Sequence, residues 1–210
     1  MPRPDTGTRQ KLIDTATDLL WTASYGSVSV DDICRAAGVK KGSFYHYFPS
    51  KQELAITAME EYYIANIKPD LDQIFAANIA FPDQIDALAE SILEEQRMVQ
   101  KKYGMVCGCP LAALGSEMVG QEEKGICEKM EEKFDCCKFY MHNAISAAID
   151  AKILPPVDIA AKTNELHDFI TGQMMMARVH NSLDGMERDL KPGILRLLGL
   201  EENNLKQNRH

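Results

Sequence analysis

Ser29-Val-Asp-Asp-Ile-Cys-Arg-Ala-Ala-Gly-Val-Lys-Lys-Gly-Ser-Phe-Tyr-His-Tyr-Phe-Pro-Ser-Lys-Gln-Glu-Leu54 is the stretch on which the reading of this 210-residue chain turns. Ser29 is placed to cap a helix. Asp31 and Asp32 follow in the first turn, where carboxylates complement unsatisfied amides and the positive helix end. Ile33, Ala36 and Ala37 are apolar and mostly small, so a second helix can cross the first closely. Gly38 supplies the positive φ that a sharp turn between helices needs. The second helix is expected from Val39 to Phe48, with Val39 and Phe44 turned inward and Phe48 closing its end. Its other positions, Lys40, Lys41, Gly42, Ser43, Tyr45, His46 and Tyr47, gather cations, hydrogen-bonding groups and aromatic rings on about two turns of helix. That shape fits the DNA major groove. Lys40, Lys41 and Lys51 suit phosphate neutralisation, Gly42 suits close backbone approach, and Ser29 offers a hydroxyl beside helix amides. Lys41, Ser43, Tyr45 and His46 are the side chains able to reach base edges. The same pattern also describes a small packed helical subdomain with a solvated polar face.

Outward from this stretch the chain reads as helix almost throughout. Before it, Leu12, Ile13, Ala16, Leu19 and Leu20 recur at helical spacing, with Gly26 as the stop. After it, Ser50 caps a helix whose stripe is Leu54, Ala58, Tyr62 and Ala65, ending at Pro69. Further helices are marked by Ile85, Leu88, Ile92 and Val99 between Pro82 and Gly104, and by a short segment from Leu111 to Val119. A long stripe follows, made of Ile126, Met130, Phe134, Cys137, Met141, Ala144 and Ala148. Ile159, Leu166, Ile170, Met174 and Ala177 define the next helix, and Leu190, Ile194 and Leu197 a last one, starting near Leu190 with its exact start left open by Pro192-Gly193. The runs Glu122-Glu123-Lys124 and Glu131-Glu132-Lys133 read as solvated helix faces, and the polar tail from Glu201 to His210 as frayed. No segment alternates with period two, so the fold class is all-α.

Net charge is −8, with 45% hydrophobic and 26% charged residues. That balance permits a buried core and at first argues against a nucleic-acid partner. Residues 1–54, however, hold seven Lys/Arg and six Asp/Glu, so nearly all the acidic excess lies beyond them. A neutral-to-basic head on an acidic body suits a modular DNA binder. No apolar run approaches the roughly 18 residues of a membrane span, and residues 1–10 carry no apolar leader. A cytoplasmic protein is expected, with its six cysteines reduced. There is no CxxC pair, no dinucleotide fingerprint and no serine-nucleophile motif, so no cofactor, no metal and no catalytic residue is assigned.

The segment Ala37-Gly-Val-Lys-Lys-Gly-Ser-Phe-Tyr-His-Tyr-Phe-Pro-Ser-Lys-Gln-Glu-Leu54 resembles the signature of the TetR family of repressors. The match extends back through the first helix and covers about a quarter of the chain. The resemblance implies an all-helical homodimer that binds double-stranded operator DNA through one head per subunit, here residues 1–54. It also implies a helical domain, here residues 55–210, that dimerises and binds a small-molecule inducer. By that pattern Lys40, Lys41, Gly42, Ser43, Tyr45, His46 and Lys51 face DNA and Ser29 meets phosphate.

Cys107-Gly-Cys-Pro-Leu-Ala-Ala-Leu-Gly-Ser-Glu-Met118 looks like a segment of a TetR subgroup that includes repressors responding to electrophiles and oxidants; by that likeness Cys109 is the reactive thiol. Physical chemistry gives Cys109 independent interest. Pro110 suits the first position of a helix, which would put Cys109 at the cap, where amides and the helix dipole favour a thiolate. Cys107 is then a resolving thiol or second target. The plain reading is that these are small buried hydrophobes, as Cys34 and Cys137 are expected to be. A soft-metal site of Cys107, Cys109 and Cys136 or Cys137 is a further alternative. For a noncovalent inducer, Phe134, Tyr140, Met141, Met174, Met175, Met176 and His180 are candidates to line a pocket among the central helices. A thiol-dependent enzyme and a helical module without DNA affinity are the readings from other classes.

Overall fold

The computed structural model describes residues 7–119 and 124–200. Ten helices account for nearly all of the described chain, in the order α1 (Thr8–Thr22), α2 (Val30–Ala37), α3 (Lys41–Tyr47), α4 (Lys51–Tyr62), α5 (Lys68–Ile74), α6 (Phe81–Tyr103), α7 (Pro110–Glu117), α8 (Lys124–Asp150), α9 (Ile159–His180) and α10 (Asp184–Leu198). No strand occurs among the described residues, in agreement with the all-α expectation. The run Glu122-Glu123 and the tail from Glu201 lie outside the described residues.

The chain divides into two compact units. The first is Met1–Asn66 with Pro110–Lys133, and the second is Ile67–Cys109 with Phe134–His210. The expected boundary after residue 54 falls inside α4. In the first unit α1 packs on α2, α3, α4 and α7. Leu12, Ile13, Ala16, Leu20 and Trp21 supply its inner face. Ile33, Phe44, Leu54, Ala55, Ala58 and Met59 meet them from the neighbouring helices. The residues of α4 that bury are therefore Leu54, Ala55, Ala58, Met59 and then Tyr63, while the expected Ala65 is exposed.

In the second unit α10 packs on both α9 and α6, with α5 along α6. The core gathers Ile85, Leu88, Leu93, Met141, Ile145, Leu166, Ile170, Leu190 and Ile194. Gly193 of α10 meets the Phe169 ring of α9 so closely that a Cβ built on it would lie 2.1 Å from Phe169 Cζ. This approach fixes the α9–α10 crossing.

Several expected boundaries move, each for a local reason. Helix α1 stops at Thr22, because Ala23 turns extended; Gly26 sits in a following 3-10 turn, Tyr25–Ser27. Helix α3 begins at Lys41, since Lys40 is its extended cap residue, and it ends before Phe48. Pro69 does not end a helix. The chain leaves α4 through a π-helical turn, Tyr63–Ile67, and Pro69 lies in the first turn of α5, where its missing N–H has no partner to lose. Helix α10 starts at Asp184 and runs through Pro192. Within α2, Ala36 is exposed, and the inner face is Ile33 and Cys34 with Ala37 half-buried. Lys133 is not a solvated charge: its ammonium lies 3.5 Å from Glu60 and 5.5 Å from the centre of the Tyr63 ring. Glu131 and Glu132 are exposed as expected.

Candidate nucleic-acid interface

Ser29 caps α2 through a complete capping box. Its hydroxyl accepts from the Asp32 amide, and the Asp32 carboxylate accepts from the Ser29 amide at 3.0 Å. The Ser29 hydroxyl also donates to that carboxylate at 2.5 Å; this bond and then the one from the Ser29 amide, with Arg35 at 3.0 Å adding less, hold the Asp32 carboxyl below its usual range. At the far end Gly38 adopts φ 67° and ψ 31°, and the Val39 amide reaches back to the Cys34 carbonyl at 2.9 Å. A left-handed residue there closes the α2 carbonyls and redirects the chain into α3.

Helix α3 is then anchored from one side only. Phe44 is wholly buried, Phe48 just past the helix end is 4% exposed, and their rings lie 6.2 Å apart. On the other side Lys40, Lys41, Gly42, Tyr45 and His46 are exposed, with Ser43 and Tyr47 half-buried. Tyr45 is 51% exposed, large for an aromatic side chain, and stands edge-on to Phe44. His46 is edge-on to Tyr47 at 4.9 Å. A Cβ on Gly42 would meet nothing within 4 Å. The protein's own packing therefore gives no reason for glycine at this position.

The cations divide in two. Lys41 reaches Asp31 of α2 at 2.9 Å, and this hydrogen bond raises its pKa. Both partners are largely exposed, so the pair is weak and can exchange Asp31 for another anion. Lys51 is engaged inside the unit. Its ammonium donates to the carbonyls of Tyr25 at 2.8 Å and Val28 at 3.0 Å and stands 3.8 Å from the centre of the Tyr25 ring. Lys51 thus pins the turn that leads into Ser29. A lysine at the first position of a helix carries no sequence signal for that role.

The candidate inducer residues are dispersed within the second unit. Met141 is in its core, with Tyr140 and Met174 packed against that core. Phe134 stands edge-on to His167 at 5.1 Å. Tyr140 donates a short hydrogen bond to Asp72, which raises the tyrosine's pKa; the hydrogen bond from Lys68 and then that from Tyr140 lower the pKa of Asp72. His180 is exposed and lines a hollow of about 430 Å³ with Gln173, Met176, Met186, Arg188 and Asp189. Met175 is half-buried and Met176 exposed.

Cys109 directly precedes α7, as expected, yet it is 7% exposed, and Cys107 is 1% exposed. Burial pushes the Cys107 thiol up, against a smaller pull from Arg178. Burial, with the neighbouring Cys109, Cys136 and Glu95, pushes Cys137 up to about 12. Cys136 is the exposed thiol of the chain's described cysteines. No cluster of three or more potential ligands for a metal occurs among the described residues.

Two interior contacts escaped sequence reasoning, one through a buried group and one through a half-buried one. Gln96 sits wholly buried on the apolar stripe of α6, and Arg178 of α9 donates to the Cys107 carbonyl at 3.0 Å. Helical spacing was the one available signal, since Gln96 falls three residues after Leu93 and three before Val99.

Residues 12–58 match the family described as bacterial regulatory proteins, tetR family. The transcriptional regulator AcuR of Cereibacter sphaeroides is 37% identical over 111 residues, which cover 52% of this chain and 48% of AcuR. The transcriptional repressor NemR of Escherichia coli is 26% identical over 116 residues, covering 55% of this chain and 56% of NemR. This chain thus spans about half the length of these curated relatives in the matches. Among solved structures, reduced E. coli NemR superposes with TM-score 0.76 at 19% identity, covering 92% of this chain and 96% of NemR. A TetR regulatory protein from Rhodobacter sphaeroides gives 0.75 at 23% identity, covering 92% of this chain and 98% of that one. No helix among the described residues is long and apolar enough to cross a membrane. Residues 12–58 thus match the head of the TetR family of bacterial regulatory proteins, and the chain's fold is similar to that of those solved regulators.

Proposed function

We propose that this chain is a cytoplasmic transcriptional repressor, not an enzyme, that binds operator DNA as a homodimer and releases it when a small molecule binds the second unit. The observation that carries the reading is the one-sided anchoring of α3. Phe44 and Phe48 hold it from beneath, while Lys40, Lys41, Ser43, Tyr45 and His46 stand on the open side, with Gly42 leaving space above the backbone. Lys40 and Lys41 take phosphates, with Lys41 exchanging Asp31 for one. Ser43, Tyr45 and His46 reach base edges, Tyr47 lies alongside them, and Ser29 meets a phosphate at the start of α2. Lys51 contributes by holding the turn before Ser29. The head is residues 1–54 in this scheme, and residues 55–210 sense and dimerise.

Dimerisation is supported by the outer side of α9, where Gly172, Met176, Val179 and His180 follow at helical spacing and are exposed. Val179 is 70% exposed. A second copy covering this stripe, with the last two long helices of each subunit in a four-helix bundle, would set two recognition helices about 34 Å apart. The inducer favours an arrangement with the wrong spacing, and a coupling of about 1–3 kcal/mol suffices.

Cys107 and Cys109 enter this reading as buried lining residues. The thiol-sensor alternative needs an oxidant or electrophile to reach Cys109 before the exposed Cys136. Brief alkylation of the native protein is expected to mark Cys136 first and leave operator binding intact. Operator release that tracks Cys109 modification would restore the sensor reading.

The deciding experiment is selection of duplexes from a random pool by the full chain, followed by anisotropy titration. A two-fold symmetric site is expected, with affinity falling steeply with salt. No enriched sequence, or equal affinity for a Tyr45→Ala, Lys40→Ala double variant, would end the regulator reading.

A further inference from the structure

Helix α6 presents Ile85, Leu88, Ala89, Leu93, Gln96 and Val99 to the interior of the second unit. Five of these are apolar, and the sixth is a wholly buried primary amide. The Gln96 Nε2 donates to the Gly108 carbonyl at 3.4 Å and approaches the Met174 sulfur at 3.9 Å. Its Oε1 accepts no hydrogen bond. The orientation is settled by chemistry, since turning the amide over would set two oxygens against each other at Gly108. The open valence is therefore an acceptor. A leucine or methionine at this place would continue the stripe without an unmet polar atom, and native interiors rarely leave one.

The surroundings restrict what can meet that oxygen. The Gly108 carbonyl, the Gln96 oxygen and the Met174 thioether are all electron-rich, which disfavours an anion. Arg178 packs its Cβ 3.2 Å and its Cδ 3.5 Å from where a Gly108 side chain would start, and its positive charge disfavours a cation. A neutral donor remains. The segment between Gly104 and Gly108, both in left-handed conformation at φ 73° and 68°, lies against Gln96 at its Gly108 end. Three contacts strap that segment to the end of α9. The Val106 amide donates to Asn181 Oδ1 at 2.9 Å, Arg178 donates to the Cys107 carbonyl, and Gly108 lies flush against the Met174 carbonyl.

We propose that Gln96 is the polar anchor of a binding site for a small neutral alcohol or phenol, whose hydroxyl donates to Gln96 Oε1 while its apolar body packs on Met174. As the chemical class of the inducer, this rests on the repressor reading; as a binding site, it stands without it.

The test compares phenol with anisole, which has nearly the same shape and no donor. The full chain is titrated with each and followed by the side-chain amide resonances of Gln96 and by calorimetry. Phenol is expected to shift those resonances saturably and to bind at least about tenfold more tightly than anisole. Gln96→Leu is expected to bring phenol down to the affinity of anisole while keeping or raising the melting temperature. Gln96→Met serves if the leucine variant does not fold. Equal binding of the two probes, unchanged phenol affinity in the variants, or no saturable binding of either probe would overturn the proposal. Operator affinity is measured separately with and without phenol. Binding of phenol without operator release leaves the site and removes its role as inducer site; operator binding with no phenol bound does the reverse.

Discussion

The α2–α3 pair and the α6–α9 contact solve opposite problems. In α2–α3 both ends of α2 are closed by nearby groups, Ser29 with Asp32 and Gly38 with Val39, and most polar side chains of α3 stand in solvent. In α6–α9 a polar amide is buried and one of its atoms is left unmet. An orphaned buried acceptor costs about 1–3 kcal/mol, whereas a solvated lysine costs almost nothing. The first region thus carries its chemistry outside, where folding does not oppose it. The second carries it inside at the expense of stability, which a ligand or water restores.

Adjacent residues in α3 give the sharpest test of that contrast. Phe44→Ala removes a fully buried ring and is expected to cost about 3–5 kcal/mol in urea unfolding, taking operator binding with it. Tyr45→Ala is expected to change stability by less than about 0.5 kcal/mol and to weaken operator binding about 10–100-fold. Should Tyr45→Ala unfold the protein, the outward face would have a structural purpose and the contrast would fail.

The second unit is probed by Gly193→Ala. The new methyl would collide with the Phe169 ring, so a loss of about 1–3 kcal/mol is expected, or roughly 2–4 °C in melting temperature for each kcal/mol. An unchanged melting temperature would mean that the ring swings aside and that the α9–α10 crossing is set elsewhere.

The two regions also differed in how far sequence disclosed them. Ser29, Gly38, Phe44 and Phe48 could be placed because each acts through local geometry: a cap, a left-handed turn, an inward ring at helical spacing. Helix α6 was bounded within a residue by Pro82 and Gly104 for the same reason. The internal partners of Lys51 could not be foreseen because the Tyr25 and Val28 carbonyls lie 26 and 23 residues earlier and are main-chain atoms of no particular residue type. Gln96 was silent because an amide on a helix stripe is ambiguous until its neighbours are known. Pro192 left the start of α10 open because helix interiors usually exclude proline, whereas here α10 continues through it, supported by packing on α9 and α6.

Gly42→Ala probes the outer face with a smaller perturbation. Alanine favours helix, and its methyl would meet no atom of this protein within 4 Å, so stability should stay level or rise by less than about 1 kcal/mol. Operator affinity is nonetheless expected to drop several-fold, because in the proposed complex a DNA backbone approaches the open space above Gly42. A variant that is more stable and binds as tightly would show that the position is merely tolerant.

The smallest effect is on pH dependence, and it belongs to the buried region. His167 of α9 lies under the Phe134 ring, with Asp168, Asp135 and Lys138 in electrostatic reach. Burial lowers its pKa from the ordinary 6.5, and the hydrogen bond to Asp168 opposes this only in part. The unfolded chain therefore takes up the proton at higher pH than the folded one. The stability held by neutral His167 is fully present above about pH 6.5 and is lost as pH falls from there toward the folded value. Urea unfolding from about pH 8 to 5 should show wild type losing stability on acidification faster than His167→Gln, since the glutamine cannot take up that proton. Parallel pH profiles, or a wild type that gains on the variant as pH falls, would mean that Asp168 outweighs burial and that the imidazole is held charged at the edge of this core.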